Sequence, residues 1–405
     1  MEDKLIERLT RYVKIDTESD SGSSSVPSTE KQFDLLNLLK EELIELGLEE
    51  VTLDDKGYLF ATLPSNSDID TVVGFMAHVD TSPALTGKNV NPKVVQYVGG
   101  DIVLNEGENI VLSPDDFPSL LRHVGHSLMV TDGTTLLGAD NKAGIANIVT
   151  AIEYLLNNPE IKRPKVRVAF TPDEEIGRGP HYFDVEAFGA DHAYTVDGGG
   201  AGGLQYESFN AAGVSLTIHG KSVHPGTAKD TMINAARIAA EFVSWFDEFD
   251  TPEHTSGYEG FFHISKITGV EDTAEVQMIV RDFDKEKFES RKKLVKENVE
   301  KLKDKYGDSL ATLDMKDQYY NMKEKIEPVM EIVEVAKQAM EYLDIDVKVS
   351  PVRGGTDGSQ LSFKGLPTPN LFTGGYNFHG KFEYASIDEM ALSTQTIVEI
   401  IKRTV

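Results

Sequence analysis

Three short apolar runs in this chain each end in groups that bind cations, and that recurrence restricts its possible folds more than any other feature. Residues 71–77 are β-prone and lead into His78-Val79-Asp80. Residues 166–170 lead into Thr171-Pro172-Asp173-Glu174-Glu175, and residues 193–196 lead into Asp197-Gly198-Gly199-Gly200. Runs of this length and composition read as strands of a buried sheet. Leu136-Leu137-Gly138-Ala139-Asp140 opens a helix that extends to about Leu156. In open α/β sheets, ligands sit where strand ends and helix starts gather at one edge.

The residue types at these ends suit metal chemistry. His78 and Asp80 are two apart, so an extended backbone sends both side chains to one face. An imidazole with a carboxylate behind it is the usual form of a metal ligand and the group that orients it. Three consecutive acids at 173–175 raise one another's pKa if buried together, so they form either an exposed acidic turn or a site for a cation. An isolated Asp140 reads more simply as a helix N-cap than as a ligand. His379 lies in a glycine-rich loop, residues 372–380, after a further strand at 369–372.

With 405 residues the chain exceeds the usual size of a single core, so two domains are expected. Its 67 Asp and Glu against 40 Lys and Arg give a net charge of −27. Such a surface repels phosphate backbones and anionic lipid, so nucleic acid and membrane are not expected partners. There is no cysteine, so any metal is held by His, Asp and Glu. The chain opens MEDKLIERL without a secretory apolar stretch, and no run reaches membrane-spanning length; a cytoplasmic protein is expected.

Taken in order, residues 4–15 and 29–46 carry helical apolar stripes around a Ser-rich loop at 20–28, and 51–53 with 58–63 form a hairpin. Residues 89–125 are punctuated by Pro and Gly with weak periodicity, and no element is assigned there. The pattern changes after Glu207. Strands at 214–219, 261–268, 273–282 and 312–317, with helices at 230–245 and 285–306, suggest a separate α+β unit built on an antiparallel sheet. A helix at 327–342, strands at 347–350 and 369–372, and a helix at 387–403 then resume the first pattern. The expected class is therefore α/β. A catalytic domain with a mixed sheet flanked by helices, residues 1–207 and 321–405, is interrupted by an α+β domain at 208–320.

His78, Asp140, Glu175, Asp197 and His379, with Asp80 and Glu174 beside two of them, suit two zinc ions that share a bridging carboxylate. Such a pair can clamp a water and a carbonyl oxygen together. The motifs HVD at 78–80, GADNKAG at 138–144, TPDEEIG at 171–177, VDGGG at 196–200 and FHG at 378–380 resemble the M20 family of co-catalytic zinc peptidases. The likeness runs over the whole length and is strongest to the family's tripeptide aminopeptidases. It implies that Asp140 bridges the metals, that His78 and Asp197 complete one site, and that Glu175 and His379 complete the other. It also implies that Glu174 is the general base and Asp80 the carboxylate behind His78. Spacing alone leaves open which of the two glutamates ligates; the resemblance assigns them. In the inserted domain, Lys221-Ser222-Val223-His224-Pro225-Gly226 resembles the family's lid motif. There His224 would stabilise the tetrahedral oxyanion, often in the partner subunit's site, which implies a homodimer through the inserted domain. Asn234, Arg281 and Arg353 are candidate anchors for substrate, since an arginine fork suits a peptide carboxylate.

The expected function is thus a di-zinc aminopeptidase releasing the N-terminal residue of tripeptides. A related amidohydrolase or carboxypeptidase, acting on N-acyl amino acids or dipeptides, is the alternative. Two-metal phosphoester hydrolysis fits poorly with the negative charge and the lack of a Gly-rich phosphate loop followed by Lys. A non-catalytic binding module would be expected to have lost Glu174 or a ligand.

Overall fold

The computed structural model describes residues 1–404, which divide into two compact units. The first comprises Met1–Tyr206, Glu324–Ser350 and Thr356 onward; the second comprises Glu207–Lys323 and Pro351–Gly355. The short return of Pro351–Gly355 differs from the continuous 321–405 segment expected from sequence. Its reason is backbone pairing: Val352 N–H donates to Glu207 O at 2.8 Å and Phe209 N–H to Gly354 O at 3.3 Å.

The first unit is built on an eight-stranded mixed sheet. Its strand order is Glu49–Leu53, Leu59–Leu63, Lys165–Thr171, Val72–His78, His192–Gly198, Asn370–Phe372, Gly203–Gln205 and Lys348–Val349. The central strands Lys165–Thr171, Val72–His78, His192–Gly198 and Asn370–Phe372 run parallel. Buried on both faces, they read as the continuous apolar runs seen in the sequence. One face carries the helices Glu2–Val13, Ala139–Asn157 and Ile387–Arg403, which pack on one another. On the other face, Met76, Ala169 and Ala193 pack with Tyr58, Phe60, Phe183, Phe188 and Leu361. Gly144 faces the sheet, where a Cβ would lie 2.0 Å from Val196 O, so the helix can approach this closely only without a side chain.

Residues 89–125, whose sequence shows only weak periodicity, hold short strands. Lys93–Gln96 pairs with Ser127–Val130 in a four-stranded sheet completed by Tyr384–Ser386 and Gly375–Tyr376, and Ile102–Asn105 pairs with Ile110–Leu112. Tyr97, Ile102, Leu104, Leu112, Leu120, Leu128, Val130 and Tyr384 form their own apolar cluster. Strands of three or four residues are too short to show a period.

The second unit is a four-stranded antiparallel sheet in the order Phe261–Gly269, Thr273–Asp282, Asn210–His219, Ala311–Tyr319. Helices Ala235–Val243 and Lys285–Tyr306 pack on it. Val214, Leu216, Ile218, Val276, Met278 and Val280 alternate inward to meet Ile238, Phe242, Phe288, Val295 and Leu302. The helix expected from 230 begins later, because the Asn234 side chain caps it by accepting from Arg237 N–H at 3.0 Å. The helix expected over 327–342 is also shorter, Glu331–Tyr342, with a 3₁₀ turn around Pro328 before it.

Candidate metal centre

The centre forms at the carboxyl edge of the parallel strands. His78 ends its strand opposite Thr171 and is 2% exposed. Its Nδ1 lies 3.0 Å from Asp80 O and 3.3 Å from Asp80 Oδ1. That contact turns Nε2 towards Asp140 Oδ1 at 3.0 Å and Asp197 Oδ1 at 3.3 Å. Asp80 is fully buried and does more than orient a ring. Its two oxygens accept the backbone N–H groups of Glu174 at 2.9 Å and Glu175 at 3.1 Å, tying the glutamate turn to the histidine strand.

Asp140 is not a helix cap. Gly138, at φ +83°, turns the chain ahead of it and Asp140 itself is extended, with φ −87° and ψ 103°, but the side chain that caps the helix is that of Asn141, whose Oδ1 accepts from Gly144 N–H at 3.2 Å. Its carboxylate reaches two ways. Oδ1 faces His78, while Oδ2 lies 3.1 Å from His379 Nε2, which in turn lies 2.9 Å from Glu175 Oε2. The three adjacent acids part company. Asp173, at φ +59°, turns away to accept from Ser28 N–H at 2.7 Å, Ser28 Oγ at 2.5 Å and Gln32 Nε2 at 2.7 Å.

The charges left in the centre do not balance among themselves. Burial pushes Glu175 up to about 7 and Asp197 up to about 6, and it drives Glu174 well above the carboxylate range. Burial opposes protonation of His78, but Asp197, Asp140 and Asp80 hold its pKa well above the usual imidazole value. Hydrogen bonds that the His379 ring donates to Asp140 and Glu175 raise it to about 10. The histidine protons thus stand where cations are wanted. Glu175 Oε1 is also buried without a hydrogen-bond partner. Ligand atoms of His78, Asp140 and Glu175, and of His78, Glu174 and Asp197, lie within 4.8 Å of one another. Imidazole nitrogens and carboxylate oxygens in such groups are a donor set that fits zinc.

The other expected site residues lie in the second unit. His224 is exposed, and its Nδ1 accepts from Gly226 N–H at 3.1 Å, which leaves the proton of the neutral ring on Nε2. The Asn234 side chain makes the helix cap described above. Arg281 donates to Arg353 O at 3.3 Å. Arg353 donates to Gly257 O and Glu259 O, both at 2.8 Å, and lies over the Phe209 and Phe261 rings. Two buried acids near the centre were not singled out in the sequence. Asp357, bonded by Thr171 Oγ1 at 3.1 Å, is raised to about 7 by burial, with Asp197 and Asp80 adding to the rise and His78 opposing it. Glu383 accepts three backbone N–H groups around Asp140. Nothing in their local sequence sets these two apart from the other acids.

A mixed α/β layer interrupted by an antiparallel α+β unit, with a two-histidine, carboxylate-rich centre at the sheet edge, defines the peptidases of the M20 fold. Residues 206–309 match the family model described as a peptidase dimerisation domain. An aminopeptidase from Bacillus cereus has the same fold, with a TM-score of 0.78 at 24% identity, covering 100% of this chain and 99% of that one. A dinuclear metal-binding M20 peptidase from Bacillus subtilis gives a TM-score of 0.67 at 14% identity, covering 99% of this chain and 97% of that one. The peptidase T of Geobacillus sp. (strain WCH70) is 58% identical over 405 residues, 99% of this chain and 98% of the relative. The chain belongs to the peptidase T family. It is therefore a peptidase, a hydrolase of peptide bonds.

Proposed function

We infer that this chain is a di-zinc aminopeptidase that releases the N-terminal residue of tripeptides, working in the cytoplasm as a homodimer. The substrate class follows the family, and the dimer follows the matched dimerisation domain. Among the described residues no helix is long and apolar enough to cross a membrane. The observation that carries the metal reading is the two-way reach of Asp140, with Oδ1 at 3.0 Å from His78 and Oδ2 at 3.1 Å from His379. Asp140 would bridge, with Asp197 and His78 on one side and Glu175 and His379 on the other.

Two zinc ions held there supply Lewis-acid polarisation of the scissile carbonyl and a lowered water pKa. The chain's own residues do the rest. With Glu175 bonded to His379, Glu174 is the glutamate we assign to proton transfer, as the family resemblance implies. Its carboxylate takes a proton from the attacking water and returns it to the departing amine. Asp80 fixes both glutamate N–H groups and the His78 ring, so base and ligands share one frame. His224, with its proton on Nε2, is the donor assigned to the oxyanion, and Arg281 and Arg353 are the candidate partners for the peptide carboxylate. Asn234 is retained as a third anchor through its amide nitrogen, since its Oδ1 caps the helix.

The test compares hydrolysis of Ala-Ala-Ala with that of Ala-Ala, a tetrapeptide and N-acetyl-alanine, together with the metal content of the active protein. Release of one alanine from the tripeptide, with about two zinc ions per chain, is expected. Preferential cleavage of N-acetyl-alanine or the dipeptide would replace this reading with the amidohydrolase or carboxypeptidase alternative.

A further inference from the structure

Glu383 lies four residues after His379 and is 1% exposed, yet among the described residues it faces no basic side chain at hydrogen-bond distance. Instead, the chain from Leu137 to Asp140 wraps around its carboxylate. Oε2 accepts from Leu137 N–H at 2.7 Å and Gly138 N–H at 2.8 Å, and Oε1 accepts from Asp140 N–H at 3.0 Å. Successive backbone N–H groups turned onto one anion form a concave nest, and each such charge-assisted bond is stronger than a neutral one. A buried carboxylate that uses both oxygens in this way fixes the backbone it touches.

The backbone it touches carries Asp140. Glu383 is itself held to the His379 loop, because its N–H donates to Gly380 O at 3.2 Å. The next residue, Tyr384, is locked into the small sheet opposite Val130. The loop needs such a restraint, since His379 sits at φ +63° and Asn377 at φ +55°, in the left-handed region that side chains disfavour. One carboxylate therefore couples two loops whose side chains meet at 3.1 Å, between His379 Nε2 and Asp140 Oδ2.

We propose that Glu383 is a positioning residue that sets the bridging carboxylate Asp140 and the ligand His379 at the spacing two divalent ions require. This rests on the dinuclear reading above. Glu383 cannot reach substrate at its level of burial, so its effect passes only through the ligands. Ligand distances must hold to within about 0.2 Å for a metal site, and loss of a group that supports ligands commonly costs about 10–100-fold in metal affinity or activity.

The test is Glu383→Gln. With its oxygen kept on the two donors Leu137 and Gly138, the new amide NH₂ faces Asp140 N–H, so the bond beside the bridge is the one lost. Metal-free wild type and variant are titrated with zinc against a chromophoric chelator, the visible spectra of their cobalt-loaded forms are compared, and kcat and KM for Ala-Ala-Ala are measured. A fall of about 10–100-fold in affinity for at least one ion is expected. With it should come an altered cobalt spectrum and a fall in kcat at nearly constant KM. Glu383→Asp keeps the charge but is one methylene shorter, and it should fall between the two. A variant that melts earlier but binds zinc with wild-type affinity and an unchanged cobalt spectrum would reduce Glu383 to a scaffold residue, as would failure of both variants to fold. Wild type that binds two ions but leaves tripeptides intact would overturn the proposed substrate and leave this inference standing. Wild type that binds no divalent ion would overturn both.

Discussion

Replacing Asp140 with Asn tests the bridge most directly. The substitution keeps size and shape but exchanges one carboxylate oxygen for an NH₂ group that cannot ligate a cation. Because Oδ1 and Oδ2 lie at 3.0 Å and 3.1 Å from the two histidines, distance alone favours neither orientation of the amide. Burial breaks the tie. The His78 and Asp197 side chains are 2% and 11% exposed against 47% for His379, so the buried pair can less easily replace a lost ligand with water. The amide oxygen should therefore stay with His78 and Asp197, and the ion beside His379 and Glu175 should be the one released. Loss of a group that only supports a ligand costs about 10–100-fold in affinity. Loss of an anionic ligand must exceed that, so the weaker ion should lose more than about 10²-fold, or about 2.7 kcal/mol at 1.36 kcal/mol per decade. Competition titration of metal-free protein, followed by metal analysis after dialysis, would read one tight and one weak equivalent. Two tight equivalents with wild-type affinities would show that Asp140 does not bridge.

Glu174→Gln should keep its metal content while kcat falls at least about 10²-fold, the lower range for a general base, in a steady-state assay with zinc analysis alongside. If the variant instead loses an ion, Glu174 and Glu175 exchange roles. Zinc uptake should release protons, since His379 at about 10 and the raised His78 must deprotonate to ligate; calorimetry in buffers of different ionisation enthalpy counts them. The metal-free protein should lose stability as pH rises. Asp197 and Glu175, raised to about 6 and about 7, act below neutrality; His379 contributes fully below its unfolded value of about 6.5 and is lost as pH climbs to about 10. The gain in Tm on adding zinc should accordingly grow from pH 6 to pH 9, and a gain that shrinks would contradict the protonated-histidine account. Gly144→Ala places a Cβ 2.0 Å from Val196 O, and this overpacking should cost about 1–3 kcal/mol, read as a lower Tm in denaturation.

The elements that depend on local pattern are legible from residue order alone. The parallel strands are legible because burial on both faces demands continuous apolar runs, and the helices Lys285–Tyr306 and Ile387–Arg403 begin and end at the residues their stripes and caps imply. The ligand candidates were legible because histidines and acids at strand ends are unusual residues in an unusual place. The rest depends on contacts between residues far apart in the chain. Folding took three neighbouring acids and sent Asp173 to Ser28 while Glu175 went to His379, a choice made by the φ of +59° at Asp173 and by partners 141–204 positions away. It gave Asp140 its extended ψ in what reads as a helix start, and it folded residues 89–125 into strands too short to carry a period. It also brought Glu383 under Asp140, 243 residues apart in the chain. A ligand announces itself by its residue type. A residue that holds a ligand in place does so by accepting backbone N–H groups, which every residue but proline offers, and only the folded chain shows which ones it meets.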